Sequence, residues 1–529
     1  MSDTLPPVLP TPATDPSVDV RCDVLVVGGG INGVGIARDL AGRGWSVVLC
    51  EQDDLAQHTS SASTKLIHGG LRYLEYGQWS LVRKALIERE GLLRSAPHIM
   101  WPLRFVLPHD AGMRPAWMIR AGLWLYDHLA PRDFLPGCEQ IDLRSHEVGR
   151  PLRPDWAQGF VYSDGWVDDA RLVVLCAQDA RDRGASILTR THADQLRATA
   201  EGWEALLGHR DPHTGRLTHH VRAQARLVVN AAGPWADAVQ RQLTPSPARA
   251  VPRLRRVKGS HIVVPRLFDH DHAYIFQGLD RRIVFAIPYE QRFTLVGTTD
   301  VEFDGDPARV AIDDTEVRYL CDAVSRYFRR PVAPADVLWH YAGVRPLLDD
   351  AHGSAAAVTR DYRLDSEGGA SPWLTVWGGK ITTFRKLAEQ VGHRVGELFG
   401  DLRPGWTREA VLPGGRLLEL IDGEVDPVTD MAEFQRQLRR RHPWMDLTML
   451  RRWSRQYGSD TLRLLNGVQG RSDLGAEVAP GVYEVELFHL RHHEWACTGD
   501  DVLWRRTKLG LHLSAEAQEA VQQWMRQAR

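Results

Sequence analysis

Apolar residues near the start of the chain fall into two short runs with an amphipathic helical pattern between them. Residues 24–27 lead into a glycine-rich turn, a helix pattern bearing alanine and leucine follows, and residues 47–49 stop at the acid Glu51. The order of strand, glycine turn, helix, strand and acid is typical of a βαβ unit that binds a dinucleotide. The pattern therefore predicts a Rossmann-like fold here.

The turn of this unit consists of Gly28, Gly29, Gly30, Ile31, Asn32 and Gly33. Its first glycine allows a tight turn, its third lets the backbone approach a pyrophosphate, and its last allows the helix to pack on the strand. The helix N-terminus offers N–H groups and a partial positive charge to phosphate oxygens. We expect Glu51 to accept hydrogen bonds from ribose hydroxyls, and we assign the adjacent Gln52 to the same site.

Later segments carry related patterns. Residues 166–190 predict a turn, a helix and a strand, residues 226–235 a strand and a turn, and residues 373–398 a strand, a turn and a helix. Two of these strands end in turns of small residues, which let the backbone approach a flat ligand. The turns contain Ala231, Gly233 and Trp235 in one case and Gly378, Gly379 and Lys380 in the other. Residues 250–300 alternate as antiparallel strands do, and the pattern beyond residue 405 is helical. These patterns predict an α/β fold with a Rossmann-like domain, an antiparallel β-sheet substrate domain and a C-terminal helical domain.

Residues 114–131 combine an apolar stretch with amphipathic rings. Trp117, Trp124 and Tyr126 supply the rings, and Arg120 is the only charge between positions 116 and 126. A helix of this composition suits the interface of a membrane. A helix buried in the protein core would show the same pattern, so both interpretations stay open.

Composition excludes several classes of protein. The net charge of −2 gives no reason to expect a nucleic-acid partner. The six cysteines form no CxxC pair, so we predict no metal site, no disulfide framework and a reducing, cytoplasmic compartment. The chain has no run of about 18 apolar residues, so we expect no transmembrane helix.

Lysine is rare, with six among 65 cationic residues. Lys65, Lys258 and Lys380 fall in loops rich in glycine or serine. Lysine at these three positions, in a chain that mostly uses arginine, indicates that the loops need a compact ammonium group. The alternative is that the lysines fall there by chance.

Several long motifs resemble those of one family. They read GGGINGVGIARDLAGRG, TSSASTKLIHGGLRYLE, RPAWMIRAGLWLYDHL, GWVDDARL, NAAGPW, KGSHIVVP, GTTDVE, GVRPL, WGGKITTFRKLAE, VLPGG and DDVLWRRTKLG. Together they resemble the FAD-dependent glycerol-3-phosphate dehydrogenases of the D-amino-acid-oxidase-like flavoprotein superfamily, from about residue 20 to the C-terminus. The resemblance implies FAD, not NAD, as cofactor and sn-glycerol 3-phosphate as substrate. It also implies a peripheral place on the cytoplasmic membrane face and membrane quinone as electron acceptor.

The resemblance also suggests roles for residues around the reacting atoms. Arg72 and Arg345 are the motif arginines expected to bind the substrate phosphate, with Tyr73 adding a hydroxyl donor. Lys380 is expected to stabilise the anionic reduced flavin. His68 is our first choice for the base and His261 the second. Further contacts to the flavin pyrophosphate or ring are expected from Ser60, Ser61, Ser63, Lys65, Gly69 and Gly70.

The predicted domain organisation has three parts. Residues 1–19, with five prolines, form a disordered tail, residues 20–400 form the FAD-dependent region, and residues 401–529 form the helical domain. The FAD-binding domain is assigned to segments near 20–100, 150–250 and 340–400. Substrate or cap segments are assigned near 100–150 and 250–340.

Three rival functions stay open. An oxidase of the same fold and substrate would pass electrons to O2. An amino-acid or amine oxidase of the same superfamily would use Arg345 for a carboxylate. A flavin-binding interaction protein without catalysis would use residues 431–529 as a docking module. The oligomeric state also stays open, with a homodimer as one alternative.

Overall fold

The computed structural model describes residues 17–110, 112–244, 252, 254–278, 280, 282–348, 361–421, 426 and 429–527. The strands are β1 (Ser17–Val27), β2 (Val47–Cys50), β3 (Leu66–Ile67), β4 (Met100–His109), β5 (Glu139–Asp142), β6 (Gln158–Val167), β7 (Ser186–Leu188), β8 (Thr191–Thr199), β9 (Gly202–Arg210), β10 (Leu217–Asn230), β11 (Leu254–Pro265), β12 (Ala273–Gln277), β13 (Ile283–Tyr289), β14 (Phe293–Gly297), β15 (Val301–Glu302), β16 (Trp339–Leu348), β17 (Arg363–Glu367), β18 (Trp373–Trp377), β19 (Glu477–Ala479) and β20 (Val482–Tyr483). The α-helices are α1 (Ile31–Gly42), α2 (Trp79–Ser95), α3 (Ala116–His128), α4 (Asp169–Asp182), α5 (Ala236–Leu243), α6 (Asp314–Ser325), α7 (Phe384–Phe399), α8 (Asp430–Arg441), α9 (Leu447–Tyr457), α10 (Thr461–Leu464), α11 (Glu484–Glu494) and α12 (Ala515–Gln527).

The predicted βαβ unit lies in a sheet with the order β17-β18-β10-β1-β2-β7. β1 pairs in parallel with β2 and β10, and β10 pairs in parallel with β18. The helices α1, α4 and α7 pack together, with α1 contacting the other two. The Rossmann-like prediction is confirmed, because the carboxyl ends of β1, β2, β10 and β18 meet where the glycine turns begin.

The amino end of β1 differs from the predicted boundary of the tail. β1 starts at Ser17, which pairs with His220 of β10, so residues 17–19 belong to a strand. Backbone pairing with β10 gives these residues a place in the sheet that proline content alone does not reveal. Residues 1–16 of the predicted tail lie outside the described part of the chain.

The second sheet has the order β15-β11-β14-β13-β12-β4-β6-β3, with β16 paired to β11 and β5 to β6. Most pairs are antiparallel, as predicted, but β12 and β4 run in parallel. These two strands come from distant segments of the chain. Alternation of apolar and polar residues inside each segment carries no information about their relative direction.

The C-terminal region has its own hydrophobic core. Leu412 packs in the core of the FAD-dependent region, whereas Leu417 begins a separate cluster that extends to Met525. The cluster is covered by α8, α9, α11 and α12, with the small hairpin β19–β20 beside them. The helical prediction for this region is confirmed apart from that hairpin.

The apolar stretch at 114–131 forms the surface helix α3. Leu123 and Tyr126 are buried, but Trp117 is 64% exposed and Trp124 is 61% exposed. The buried-helix interpretation is therefore wrong, because both tryptophan rings face outward and only one side of the helix packs inward. Among the described residues, no helix combines the length and the apolar character needed to cross a membrane.

Candidate active site

The glycine turn between β1 and α1 is closely packed. Gly28 has φ +110°, and a Cβ atom there would lie 2.6 Å from the carbonyl oxygen of Ala231. A Cβ atom on Gly33 would lie 1.8 Å from the carbonyl oxygen of Gly28. Both positions therefore exclude any side chain, as the roles assigned from sequence require.

The N-terminus of α1 already holds an oxygen ligand. Gly30 is the N-cap and has no side chain to offer, so the hydroxyl of Ser60 accepts from the Ile31 N–H at 2.9 Å. A Cβ atom on Gly30 would be limited only by that hydroxyl, at 3.0 Å. Asn32 donates to the Gly378 carbonyl, and its own Oδ1 is buried without a hydrogen-bond partner. This terminus suits a phosphate oxygen.

Glu51 stands where the sequence places it, directly after β2. Its buried carboxylate accepts from the Gly29 N–H at 2.6 Å and from the Asp53 N–H at 2.9 Å. Burial raises the pKa of the Glu51 carboxyl, while the two N–H donors and nearby His58 oppose that rise. The carboxylate is thus fixed in orientation at the edge of the glycine turn.

A cavity of about 390 Å³ extends from the glycine turn to the second sheet. It brings together most residues that the sequence assigns to the site. Those lining it are Gly28, Gly30, Ile31, Asn32, Glu51, Gln52, Ser60, Ser63, His68, Tyr73, Ala231, Gly233, Trp235, His261, Arg345, Gly378, Gly379 and Lys380.

The remaining predicted residues lie outside this lining. They are Gly29, Gly33, Ser61, Lys65, Gly69, Gly70 and Arg72. Lys65 is 2% exposed, and its ammonium contacts the Asp169 carboxylate at 2.7 Å and the Ser61 carbonyl at 3.2 Å. Asp169 in turn accepts from the Ser63 hydroxyl at 2.7 Å. Lys65 therefore holds the loop that contains Ser61 and Ser63, through contacts outside the cavity lining.

A buried polar network holds the loop that carries His68. The Gly69 N–H donates to the Tyr126 hydroxyl at 2.9 Å, and that hydroxyl donates to Asp164 at 2.8 Å. Arg89 donates to the same carboxylate at 2.7 Å. Burial raises the pKa of the Asp164 carboxyl, and the Arg89 charge opposes the rise. No local pattern indicated this network, because its members lie on α2, α3 and β6.

Arg345 on β16 is held in a fixed orientation within the cavity wall. Its guanidinium donates to the Asp300 carboxylate at 2.7 Å and to the Thr299 carbonyl at 2.8 Å. A Cβ atom on Gly259 would lie 2.2 Å from Arg345 Nη2. Gly259 therefore leaves the space that the guanidinium fills, a function the sequence analysis missed.

His261 on β11 is a buried ring in the same wall. Its Nε2 lies 3.0 Å from the Thr64 hydroxyl, and the ring stacks on Tyr341. Its Nδ1 is buried without a hydrogen-bond partner. Burial, with the charges of Lys65 and Arg345, holds the pKa of His261 well below 6.5. The imidazole is therefore neutral at pH 7 and can accept a proton.

Lys380 follows two glycines in left-handed conformations, Gly378 at φ +72° and Gly379 at φ +109°. This turn directs the lysine ammonium to the His68 carbonyl, 2.6 Å away, and to a point 5.4 Å from the centre of the Tyr73 ring. The cavity therefore carries a lysine cation close to both His68 and Tyr73.

Other lining residues escaped the sequence analysis, among them Thr64, Gly259, Phe285 and Thr298. Gly259 and Thr298 belong to the motifs KGSH and GTTD, so their motifs were a usable signal. The place of Gly259 near Arg345 follows from the pairing of β11 with β16, which sets Val257 opposite Arg345 and Gly259 opposite Gly343. Thr298 directly follows β14, which also pairs with β11. Local patterns do not reveal such pairing.

Known proteins match this chain along most of its length. Residues 23–385 match the FAD dependent oxidoreductase family, and residues 406–528 match the C-terminal domain of alpha-glycerophosphate oxidase. A glycerol-3-phosphate dehydrogenase of Pseudomonas aeruginosa is 50% identical over 506 residues, which cover 95% of this chain and 94% of that protein. A D-erythritol 1-phosphate dehydrogenase of Brucella abortus is 47% identical over 504 residues, which cover 95% of this chain and 97% of that protein.

A solved structure gives the same result at the level of the fold. The glycerol-3-phosphate dehydrogenase of Bacillus halodurans, complexed with FAD, has a TM-score of 0.73 and 26% identity, covering 96% of this chain and 90% of that one. The N–H groups of α1, the buried acid after β2 and the small-residue turns fit a pyrophosphate, a ribose and a flat ring. FAD is therefore the cofactor of this protein. The chain belongs to the FAD-dependent glycerol-3-phosphate dehydrogenases, within the D-amino-acid-oxidase-like flavoproteins.

Proposed function

We propose that this protein oxidises sn-glycerol 3-phosphate to dihydroxyacetone phosphate and passes the electrons to a membrane quinone. One observation carries the proposal: Arg345, His261 and Lys380 line the same cavity as the glycine turn. That cavity thus offers a phosphate ligand, a neutral base and a cation next to the place that fits the cofactor.

Arg345 binds the substrate phosphate in this proposal. The Asp300 carboxylate and the Thr299 carbonyl hold its guanidinium plane, which leaves the fork oriented before the substrate arrives. Arg72, half-buried in the turn at residues 71–76, stays a predicted second phosphate ligand, and Tyr73 a predicted hydroxyl donor.

His261 is the better candidate for the base, although the sequence ranked His68 first. The His261 residue lines the cavity and its ring is neutral at pH 7, so the ring can take the proton of the C2 hydroxyl. His68 keeps the second place, since its carbonyl is engaged by Lys380 while its side chain lines the cavity. Bound FAD supplies the hydride acceptor, and the Lys380 ammonium stabilises negative charge near it.

Anaerobic reduction tests the proposal directly. Adding sn-glycerol 3-phosphate to the holoenzyme without oxygen is expected to bleach the yellow flavin absorbance and to yield dihydroxyacetone phosphate. D-erythritol 1-phosphate is the necessary comparison, because the Brucella relative is nearly as similar as the Pseudomonas one. Faster bleaching by D-erythritol 1-phosphate would show that this four-carbon compound, not sn-glycerol 3-phosphate, is the preferred substrate. Absence of bleaching by both compounds would reject the proposed reaction.

The electron acceptor needs a separate measurement. The match of residues 406–528 to a domain named from an oxidase favours O2 as a specific alternative. Turnover with a soluble quinone analogue under argon, with little peroxide formed in air, is the result expected for a dehydrogenase. Rapid peroxide formation in air would favour the oxidase.

Contact with the cytoplasmic face of the membrane is proposed for α3. Its exposed Trp117 and Trp124, with Arg120 between them, have the chemistry of an interfacial helix. Replacing both tryptophans by glutamate should lower binding to phosphatidylglycerol-containing vesicles by at least about tenfold, while flavin content stays unchanged. Leu402→Glu is the matched control, because Leu402 is equally exposed at 65% but lies far along the chain. Equal binding of all variants would reject this surface.

A further inference from the structure

A turn of the C-terminal domain lies against the loop that carries Glu51. Residues 501–506 form a short π-helical turn, and the guanidinium of Arg506 binds both carboxylate oxygens of Asp54, at 2.5 and 2.8 Å. Arg505 donates to the same carboxylate at 2.6 Å. Arg506 and Asp54 are both fully buried, so this ion pair crosses the boundary between the two regions without solvent.

Asp54 belongs to the loop that shapes the nucleotide end of the cavity. Its neighbour Asp53 donates its N–H to the Glu51 carboxylate at 2.9 Å, and Glu51, Gln52 and His58 all line the cavity. A displacement of Asp54 therefore moves the N–H group that orients Glu51.

The same loop is held from its other side. The N–H of Arg190 donates to the Asp53 carbonyl at 2.8 Å, and the Arg190 guanidinium binds both carboxylate oxygens of Asp501 at 2.7 and 2.8 Å. Asp501 begins the turn that ends with Arg506. The turn at residues 501–506 thus contacts the loop in two ways. Arg506 binds Asp54 directly, and Asp501 binds Arg190, whose N–H donates to the Asp53 carbonyl.

We propose that Asp54 and Arg506 are positioning residues through which the C-terminal domain sets the affinity for FAD. The ion pair fixes the loop, the loop fixes the Glu51 carboxylate, and a fixed carboxylate loses less freedom when it binds a ribose. The proposal concerns cofactor binding alone, so it stands or falls independently of the substrate and of the electron acceptor.

The experiment compares two buried carboxylates that pair with different arginines at the boundary between the two regions. Both substitutions change a side chain only, so the Glu494 carbonyl, which accepts from Arg506 at 2.8 Å, is retained. Asp54→Asn breaks the pair with Arg506 at the loop. Glu494→Gln breaks a second buried ion pair across the same boundary. In that pair, the guanidinium of Arg171 on α4 donates to both carboxylate oxygens of Glu494 on α11. FAD is removed from each protein, and its dissociation constant is measured by quenching of flavin fluorescence on reconstitution. The melting temperature of each apoprotein and kcat at saturating FAD are recorded alongside.

The expected result separates affinity from stability. Asp54→Asn weakens FAD binding by about tenfold or more, while Glu494→Gln stays within about twofold of the original, although both lower the melting temperature. At saturating FAD, kcat is unchanged in both variants. Equal FAD affinity in all three proteins, or equal weakening in the two variants, would overturn the proposal.

A milder variant covers the case in which Asp54→Asn does not fold. Arg505 is 14% exposed and shares Asp54 with Arg506, so Arg505→Met keeps the fully buried pair. We expect a weakening of FAD binding by about threefold, since one of the two arginine contacts from the C-terminal turn to Asp54 is lost. An unchanged dissociation constant in a well-folded Arg505→Met would count against the proposal.

Discussion

The two ends of the cavity are built in different ways. At the nucleotide end, the backbone of the turn from Gly28 to Gly33 shapes the site, and a Cβ atom on Gly33 would lie 1.8 Å from the Gly28 carbonyl oxygen. At the substrate end, side chains shape the site, and His261 on β11 and Arg345 on β16 come from strands separated along the chain. Substitutions at the first end should therefore affect cofactor binding, whereas substitutions at the second should affect substrate binding and proton transfer.

The largest effect is expected at Gly33. Gly33→Val places a side chain against the Gly28 carbonyl, so α1 must move away from β1, and the purified protein should contain no FAD. Flavin absorbance per protein measures the loss. Gly91→Ala in α2 is the control, because no atom lies within 4 Å of the added Cβ, and it should keep full flavin content. Normal flavin content in Gly33→Val would show that the backbone does not define this end.

A substitution at the substrate end tests the other half of the comparison. Arg345→Met should raise KM for glycerol 3-phosphate by about 100-fold or more, because the charge-assisted phosphate contact proposed for its guanidinium would be lost. Flavin content should stay at the original level. A loss of flavin content that accompanies the rise in KM would contradict the separate roles of the two ends.

Acidification should affect the substrate end through His261. Its pKa is lowered well below 6.5, so the folded protein resists protonation that the unfolded chain accepts. Stability from this residue is fully present above about pH 6.5 and falls as the pH drops below that value. The acid limb of kcat/KM should likewise lie below pH 6.5 and disappear in His261→Gln. A limb at or above pH 6.5 would assign the base elsewhere.

The difference between the ends also explains what the sequence could reveal. The glycine turn and Glu51 were predictable because strand, turn, helix and acid follow one another within about 30 residues. Lys65 was assigned to the flavin, yet its ammonium pairs with Asp169, which lies 104 positions further along. Local patterns identify a residue as unusual but do not name its distant partner.

The position of α3 shows a second limit of prediction from sequence. The apolar pattern of α3 predicted a helix correctly but fitted both a buried and an interfacial position. The structure turns Tyr126 inward, with its hydroxyl on Asp164, and leaves Trp117 and Trp124 exposed. Which face of a helix is covered depends on its neighbours, and the parallel pairing of β4 with β12 was hidden for the same reason.

The ion pair between Arg506 and Asp54 has a consequence for biosynthesis. The ribosome makes the Gly28–Gly33 turn before the Gly378–Gly379 turn, and Arg506 after both. At about 5–20 residues per second, this interval lasts on the order of half a minute or more. A nascent chain without Arg506 lacks the ion pair that fixes Asp54. If the proposal holds, such a chain binds flavin about tenfold more weakly than the complete pocket does.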